Sequence, residues 1–283
     1  MTDNEIKALI TLLDDEDKQI SLHVEEKLLS LGSVAIPFLE TEWETNLNPA
    51  VQNRIEDMIH KLQYELLRDR LKQWYSEGGK DLLTGLWLVA TYQYPDLEIT
   101  KLRQELEQIH YEAWLDFRED QNPLERIKTL NNALFNKLKF SANTKNFHSP
   151  ANSMINLVLE SRRGNPITLS SIYILVAQKL KLNIVGVNLP NLFIVLYEDP
   201  ANKFYINPFN KGLIFSKTDI ENYIKELHLP PQPSFFEGCN NVEIIRRSLR
   251  NLVNSFEKLG EHAKAEEVKL LLVEISDGGD LGV

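Results

Sequence analysis

The feature that most constrains this chain is a change of hydrophobic period centred on Gly164-Asn165-Pro166. The Gly-Asn-Pro turn leads directly into residues 167–180, a strongly apolar stretch that reads as one buried helix. A short helix over 154–159 precedes the turn. Three strand-like runs follow at 184–187, 192–197 and 203–206, with Asp199-Pro200-Ala201-Asn202 supplying turn chemistry between the last two. One buried helix followed by an antiparallel sheet is an α+β arrangement. Everything on either side has helical period, so the expected fold is a predominantly helical α+β fold with a small antiparallel sheet flanked by helices.

Residues 5–65 read as helices with short breaks. Ile6, Leu9, Ile10 and Leu13 keep helical spacing up to Asp14-Asp15, and Ile20, Val24, Leu28 and Leu31 form a second stripe that stops at Gly32. Pro37 suits the first turn of a third helix, and Val51, Ile55, Met58, Ile59 and Leu62 continue after Asn48-Pro49. This helix-break-helix pattern, about one and a half units long, resembles a HEAT-type repeat. Such a pair serves either as a binding face or as a packing cap.

Further on, Leu82, Leu83, Leu86, Trp87, Val89 and Ala90 mark an apolar helix. Leu102, Leu106, Ile109 and Tyr111 mark the next, and Pro123 opens a third with Ile127, Leu130, Leu134, Phe135 and Leu138 inward. Near the end, Ile244, Ile245, Leu249, Leu252, Val253 and Phe256 form one stripe; Gly260 breaks it, and Ala263, Ala265, Val268, Leu271 and Leu272 form another. That pair resembles half of a TPR array, and residues 277–283 are expected to fray.

Composition narrows the function classes. The chain has 283 residues and a formal charge of -10, with acidic residues spread along it. A surface of that sign repels phosphate backbones, and Arg162-Arg163 and Arg246-Arg247 are too short to form a basic patch, so nucleic acid is disfavoured. No apolar run approaches the ~20 residues a membrane span needs. Residues 1–8 carry Asp3 and Glu5 and do not read as a secretory signal, which makes the cytoplasm the simplest address. Cys239 is the only cysteine, which excludes an intrachain disulfide and a thiolate-rich metal site. The six histidines lack the i, i+4 spacing of a helical metal site, so neither metal nor cofactor is expected.

One string is more specific than any of this. Asn152-Ser153-Met154-Ile155-Asn156-Leu157-Val158-Leu159 is followed by Arg162-Arg163-Gly164-Asn165-Pro166-Ile167-Thr168-Leu169-Ser170, then by Tyr173, Val176-Ala177 and Gly186-Val187. Pro190-Asn191-Leu192-Phe193, Asn207-Pro208-Phe209, and Arg246-Arg247, Leu249 and Asn251-Leu252 come later. Together they resemble the SirB-type family of bacterial transglutaminase-like proteins, over roughly residues 66–275. With the HEAT-like and TPR-like helices, the first of which lie outside this resemblance, three segments are expected. Residues 1–65 form a HEAT-like helical segment. Residues 66–228 form a transglutaminase-like domain, with a helical lead-in over 66–145 and a core over 146–228. Residues 229–283 form a TPR-like helical pair and tail.

The wider transglutaminase and papain-like fold places a Cys at a helix N-terminus, a His on the neighbouring sheet and an orienting Asp on the next strand. By that resemblance the Cys position falls on Pro166, the His of Pro-Gly-His-Phe on Leu192, and the Asp of Asp-Pro-Phe on Asn207. Proline offers no nucleophile and leucine no base, and an amide at 207 has no imidazole to hold. SirB-type proteins often lack the Cys but keep the His and Asp; this chain departs further.

The resemblance therefore implies a protein that is not an enzyme, a binding or scaffolding module with a protein partner held on its repeat-like helices. His148, Asn152, Asn156, Arg163, Tyr173 and Asn191 are the candidates to line the groove. For His148 an aromatic slot-filling role competes with facing the groove. Asn152 and Asn156 equally suit tying loop backbone together, and Arg163 a salt bridge. Two rival readings are a small-molecule binder using the vacated groove, and an amide hydrolase or acyl-transfer enzyme relocated around Cys239 and His148.

Overall fold

A computed structural model describes residues 1–15 and 17–276; the tail 277–283, expected to fray, lies outside them. By contacts the chain divides into two compact units, Met1–Arg70 and Leu71–Val283. In the first, α1 (Asp3–Thr11) starts at a capping box in which Thr2 and Glu5 exchange backbone hydrogen bonds. Helix α2 (Lys18–Leu29) is capped by Asp17, and α3 (Ile36–Thr45) carries Pro37 in its first turn, where a missing N–H costs nothing. Helix α4 (Pro49–Ser76) is continuous, so the boundary expected at 65/66 falls inside a helix. Ile6, Ile10, Val24, Leu28, Leu39, Ile55 and Met58 close the first core. Ile20, counted in the α2 stripe, is instead 42% exposed.

The second unit begins with three helices, α5 (Leu82–Thr91), α6 (Ile99–Trp114) and α7 (Pro123–Asn131), the last running on into a π-helical turn over Asn132–Lys137. Leu102, Leu106, Ile109 and Ala113 form the buried face of α6. Tyr111, expected on that side, is 55% exposed, because nine residues past Leu102 is about half a turn round the helix. A two-residue strand β1 (Ser141–Ala142), helix α8 (Ile155–Ser161) and strand β2 (Arg163–Gly164) follow, with β1 and β2 paired in parallel.

Helix α9 (Pro166–Lys179) is the centre of the unit: residues 167–177 are all buried. It packs on β3 (Ile184–Leu189) and β4 (Leu192–Glu198), the first half of an antiparallel sheet completed by β5 (Lys203–Asn207) and β6 (Leu213–Phe215). Register is set by Val187 opposite Ile194, Val195 opposite Ile206, and Ile206 opposite Ile214. The β4–β5 hairpin closes where Asp199 Oδ1 accepts from the backbone N–H groups of Ala201 and Asn202, both within 2.8 Å. Helix α10 (Lys217–Glu226) places Ile220 and Ile224 in a cluster with Val187, Ile194, Leu196 and Tyr205.

Two long helices finish the unit, α11 (Asn241–Leu259) and α12 (His262–Glu274), separated by Gly260 at φ 77°, a left-handed cap that glycine adopts without strain. The α+β class, mainly helical with a small antiparallel sheet, stands. Strands β1, β2 and β6 and helix α10 add to the expected elements. The Ser216 and Asp219 capping box that opens α10 was present in the sequence as a start signal.

Candidate functional site

The site is assembled at the start of α9. Asn165 caps the helix, its Oδ1 accepting from the Thr168 N–H at 2.9 Å, while its Nδ2 donates to Ser153 Oγ at 3.0 Å. Both partners are buried, so the turn is tied into the protein on two sides. Gly164 must be glycine here: a Cβ would stand 2.8 Å from Val158 Cγ1. Pro166 then takes the first helical position and faces a cavity of about 410 Å³.

Four parts of the chain wall this cavity. Helix α9 contributes Pro166 and Ile167, and the start of β4 contributes Leu192 and Phe193. Asn191 sits in the β3–β4 turn at φ 56°, a left-handed conformation that asparagine tolerates, and Tyr223 of α10 anchors the turn by donating to Pro190 O at 2.8 Å. The loop before α8 brings Phe147 and His148, whose rings meet edge to face with centroids 5.2 Å apart; Phe147 also meets Phe209 edge-on at 6.2 Å. Helix α11 completes the wall with Arg247, Asn251, Asn254 and Lys258.

The polar groups hold one another in place. Arg247 Nη1 donates to Asn188 Oδ1 at 3.1 Å. Lys258 Nζ lies 3.0 Å from His148 Nε2. Burial, and secondarily the like charge of Arg250, push the Arg247 guanidinium pKa down.

The positions assigned to the nucleophile and the base, Pro166 and Leu192, thus meet in one cleft, and neither side chain accepts a proton or attacks a carbon. Asn207 is not with them. It is buried at the end of β5, its Oδ1 accepting from the Asn210 N–H at 3.2 Å and its carbonyl from the Gly212 N–H at 2.9 Å, so it caps the next turn.

The remaining candidates separate in the same way. His148 and Asn191 line the cleft, and His148 is exposed on its rim, not packed into an aromatic slot. Asn152 is buried behind it. Its Nδ2 donates to Asn146 O at 2.7 Å and Phe147 O at 3.0 Å, and its Oδ1 accepts from Asn143 Nδ2 at 2.8 Å. It therefore shapes the loop carrying Phe147 and His148 without reaching the cavity.

Asn156 lies on α8 away from the cleft, with a buried Oδ1 that has no hydrogen-bond partner. Arg163 points outward from β2 and is exposed, because the neighbouring Gly164 occupies the buried position of that short strand. Tyr173 is fully buried, two turns into α9, where its ring stacks on Phe135; burial pushes its pKa up. Core packing, not the groove, is its place.

Cys239 stands apart from the cleft, its N–H donating to Gly186 O at 2.8 Å along the edge of β3. Burial, helped by the Glu243 carboxylate, pushes its thiol up to about 12, which suppresses the thiolate that nucleophilic chemistry requires. Missing from the sequence-based candidates is the α11 contribution. The signal was available: Arg247, Asn251, Asn254 and Lys258 recur at intervals of four, three and four, a polar stripe along an amphipathic helix.

Comparison with known proteins agrees with this geometry. The model of the transglutaminase-like superfamily matches residues 100–250, more than half of the chain. A UPF0162 protein of Xylella fastidiosa (strain 9a5c) is 34% identical over 189 residues, covering 60% of this chain and 63% of that protein. A UPF0162 protein of Vibrio cholerae is 25% identical over 160 residues, covering 55% and 58%. F-box only protein 21 of Mus musculus is 26% identical over 136 residues, covering 45% of this chain and 21% of that protein. The chain thus spans less than two thirds of each of these relatives. No solved structure matches it significantly. With the matched span running from α6 through the turn, the buried α9 and the sheet into α11, this chain belongs to the transglutaminase-like superfamily.

Proposed function

We propose that this chain is a non-catalytic, SirB-type member of the superfamily, a cytoplasmic binding or scaffolding module. One observation carries the reading: the cleft at the start of α9 is formed, but Pro166 and Leu192 face it where attack and proton transfer would need a thiol and an imidazole. The helices of Met1–Arg70, read as HEAT-like, and the α11–α12 pair, read as TPR-like, are the surfaces on which a protein partner would be held. A catalytic site relocated to Cys239 and His148 has weaker support. The thiol keeps its proton to about 12, and Cys239 does not line the cavity that His148 does.

The test is turnover by the full chain with peptide, amide and ester substrates. Rates at the buffer background support the proposal. Turnover that disappears in Cys239→Ala would refute it in favour of the relocated site.

A further inference from the structure

Resting on the reading of this chain as a non-catalytic binding module, we infer that its cleft takes a small organic anion: a carboxylate or phosphate head on an apolar body. Arg247 and Lys258 both line the cavity, and among the described residues neither has a carboxylate partner. Arg247 meets the neutral Asn188, and Lys258 meets the imidazole of His148. Glu257, the chain neighbour of Lys258, is engaged by Lys269 of α12 at 2.9 Å. No Asp or Glu is among the described residues that line the cavity.

A chain of net charge -10 therefore keeps two cations around one cavity without counter-charges of its own. Arg247 is half-buried, where a cation is ordinarily paired, and a cleft lined by one sign of charge concentrates the opposite sign. The missing partner is the ligand's negative charge. The α9 N-terminus, opening at Pro166, adds a partial positive charge to the same cavity.

The remaining surface describes the rest of the ligand. Pro166, Ile167, Leu192 and Phe193 form an apolar wall suited to a ring or short aliphatic chain, and the Asn251 and Asn254 amides offer donors beside the cations. A volume of about 410 Å³ is that of a small-molecule site.

Calorimetric titration of the full chain with phenyl phosphate, 3-phenylpropionate and neutral 3-phenylpropionamide tests this. Both anions should bind, with the amide about tenfold weaker or worse, and the stronger anion identifies the head group. Lys258→Glu, on an exposed side chain, should weaken the anions about tenfold or more while circular dichroism stays unchanged. Arg247→Gln should do the same, and if it does not fold, Lys258→Glu still decides. Equal affinity for the amide, unchanged affinity in Lys258→Glu, or no binding of either anion overturns the inference. Release of phosphate from bound phenyl phosphate would support anion binding yet sink the non-catalytic reading, so the two fail separately.

Discussion

The hydroxyl of Tyr173 donates to Asn131 Oδ1 across 2.9 Å, and the same carboxamide donates from Nδ2 to Gly212 O, also at 2.9 Å. Three segments, α9, α7 and the β5–β6 turn, are locked by one half-buried side chain. Tyr173→Phe should cost about 1 kcal/mol, since it removes the donor to a half-buried acceptor. Gly212→Ala should cost more. Gly212 has φ 75°, and a Cβ there would stand 2.3 Å from the Asn131 carboxamide, so both bonds would be lost. Urea denaturation of the single and double variants checks this. The double variant should be less destabilised than the sum, because both changes disable Asn131.

The cap of α9 should carry comparable weight. Asn165→Ala removes the acceptor for the Thr168 N–H and the donor to Ser153 Oγ. A loss of about 1–3 kcal/mol is expected from the cap and the orphaned buried groups together. Equilibrium unfolding reads it, and Asn165→Asp should recover the cap.

Thr168 offers the opposite sign. Its side chain is fully buried and its Oγ1 has no hydrogen-bond partner. Thr168→Val keeps the shape and removes the unsatisfied hydroxyl, so stability should be unchanged or rise by up to about 1 kcal/mol. A clear fall in the denaturation midpoint would contradict the observed environment.

Cys239 predicts a pH dependence. Its pKa rises from the ordinary 9.0 to about 12 on folding, so between these values the folded chain holds a proton that the unfolded chain has released. The contribution to stability is complete below pH 9.0 and is lost as pH climbs toward about 12, at no more than about 1.4 kcal/mol per pH unit. Wild type should therefore lose stability relative to Cys239→Ala between pH 9 and pH 10.5 (roughly the lower half of that window), and the difference should be flat below pH 8. Reaction of the native thiol with a disulfide reagent at neutral pH should be much slower than in urea-unfolded chain.

Much of this architecture was legible in the order of residues. The Gly164-Asn165-Pro166 turn, the buried α9, the β4–β5 hairpin at Asp199 and the Gly260 break are local signals, each produced by residues within a few positions of one another. The α6 face was misjudged at Tyr111, since one aromatic residue in a loose stripe does not report its angle round the helix. Strand β6, only three residues long, carries too little pattern to be separated from loop.

The site divides along the same line. Pro166 and Leu192 could be assigned by motif, and that neither side chain can attack a carbon or take a proton followed from their chemistry alone. That these two face a single cleft, that Asn207 turns away to cap its own loop, and that Tyr173 lies in the core depended on strand register and helix rotation. The cationic wall was the furthest from reach. Arg247 and Lys258 lie some eighty to ninety positions along the chain from Pro166, and only the packing of α11 against α9 and β3 brings them to it. Side-chain chemistry is carried by the residues themselves, but which charges share a cavity is set by burial of apolar surface that no short window of sequence contains.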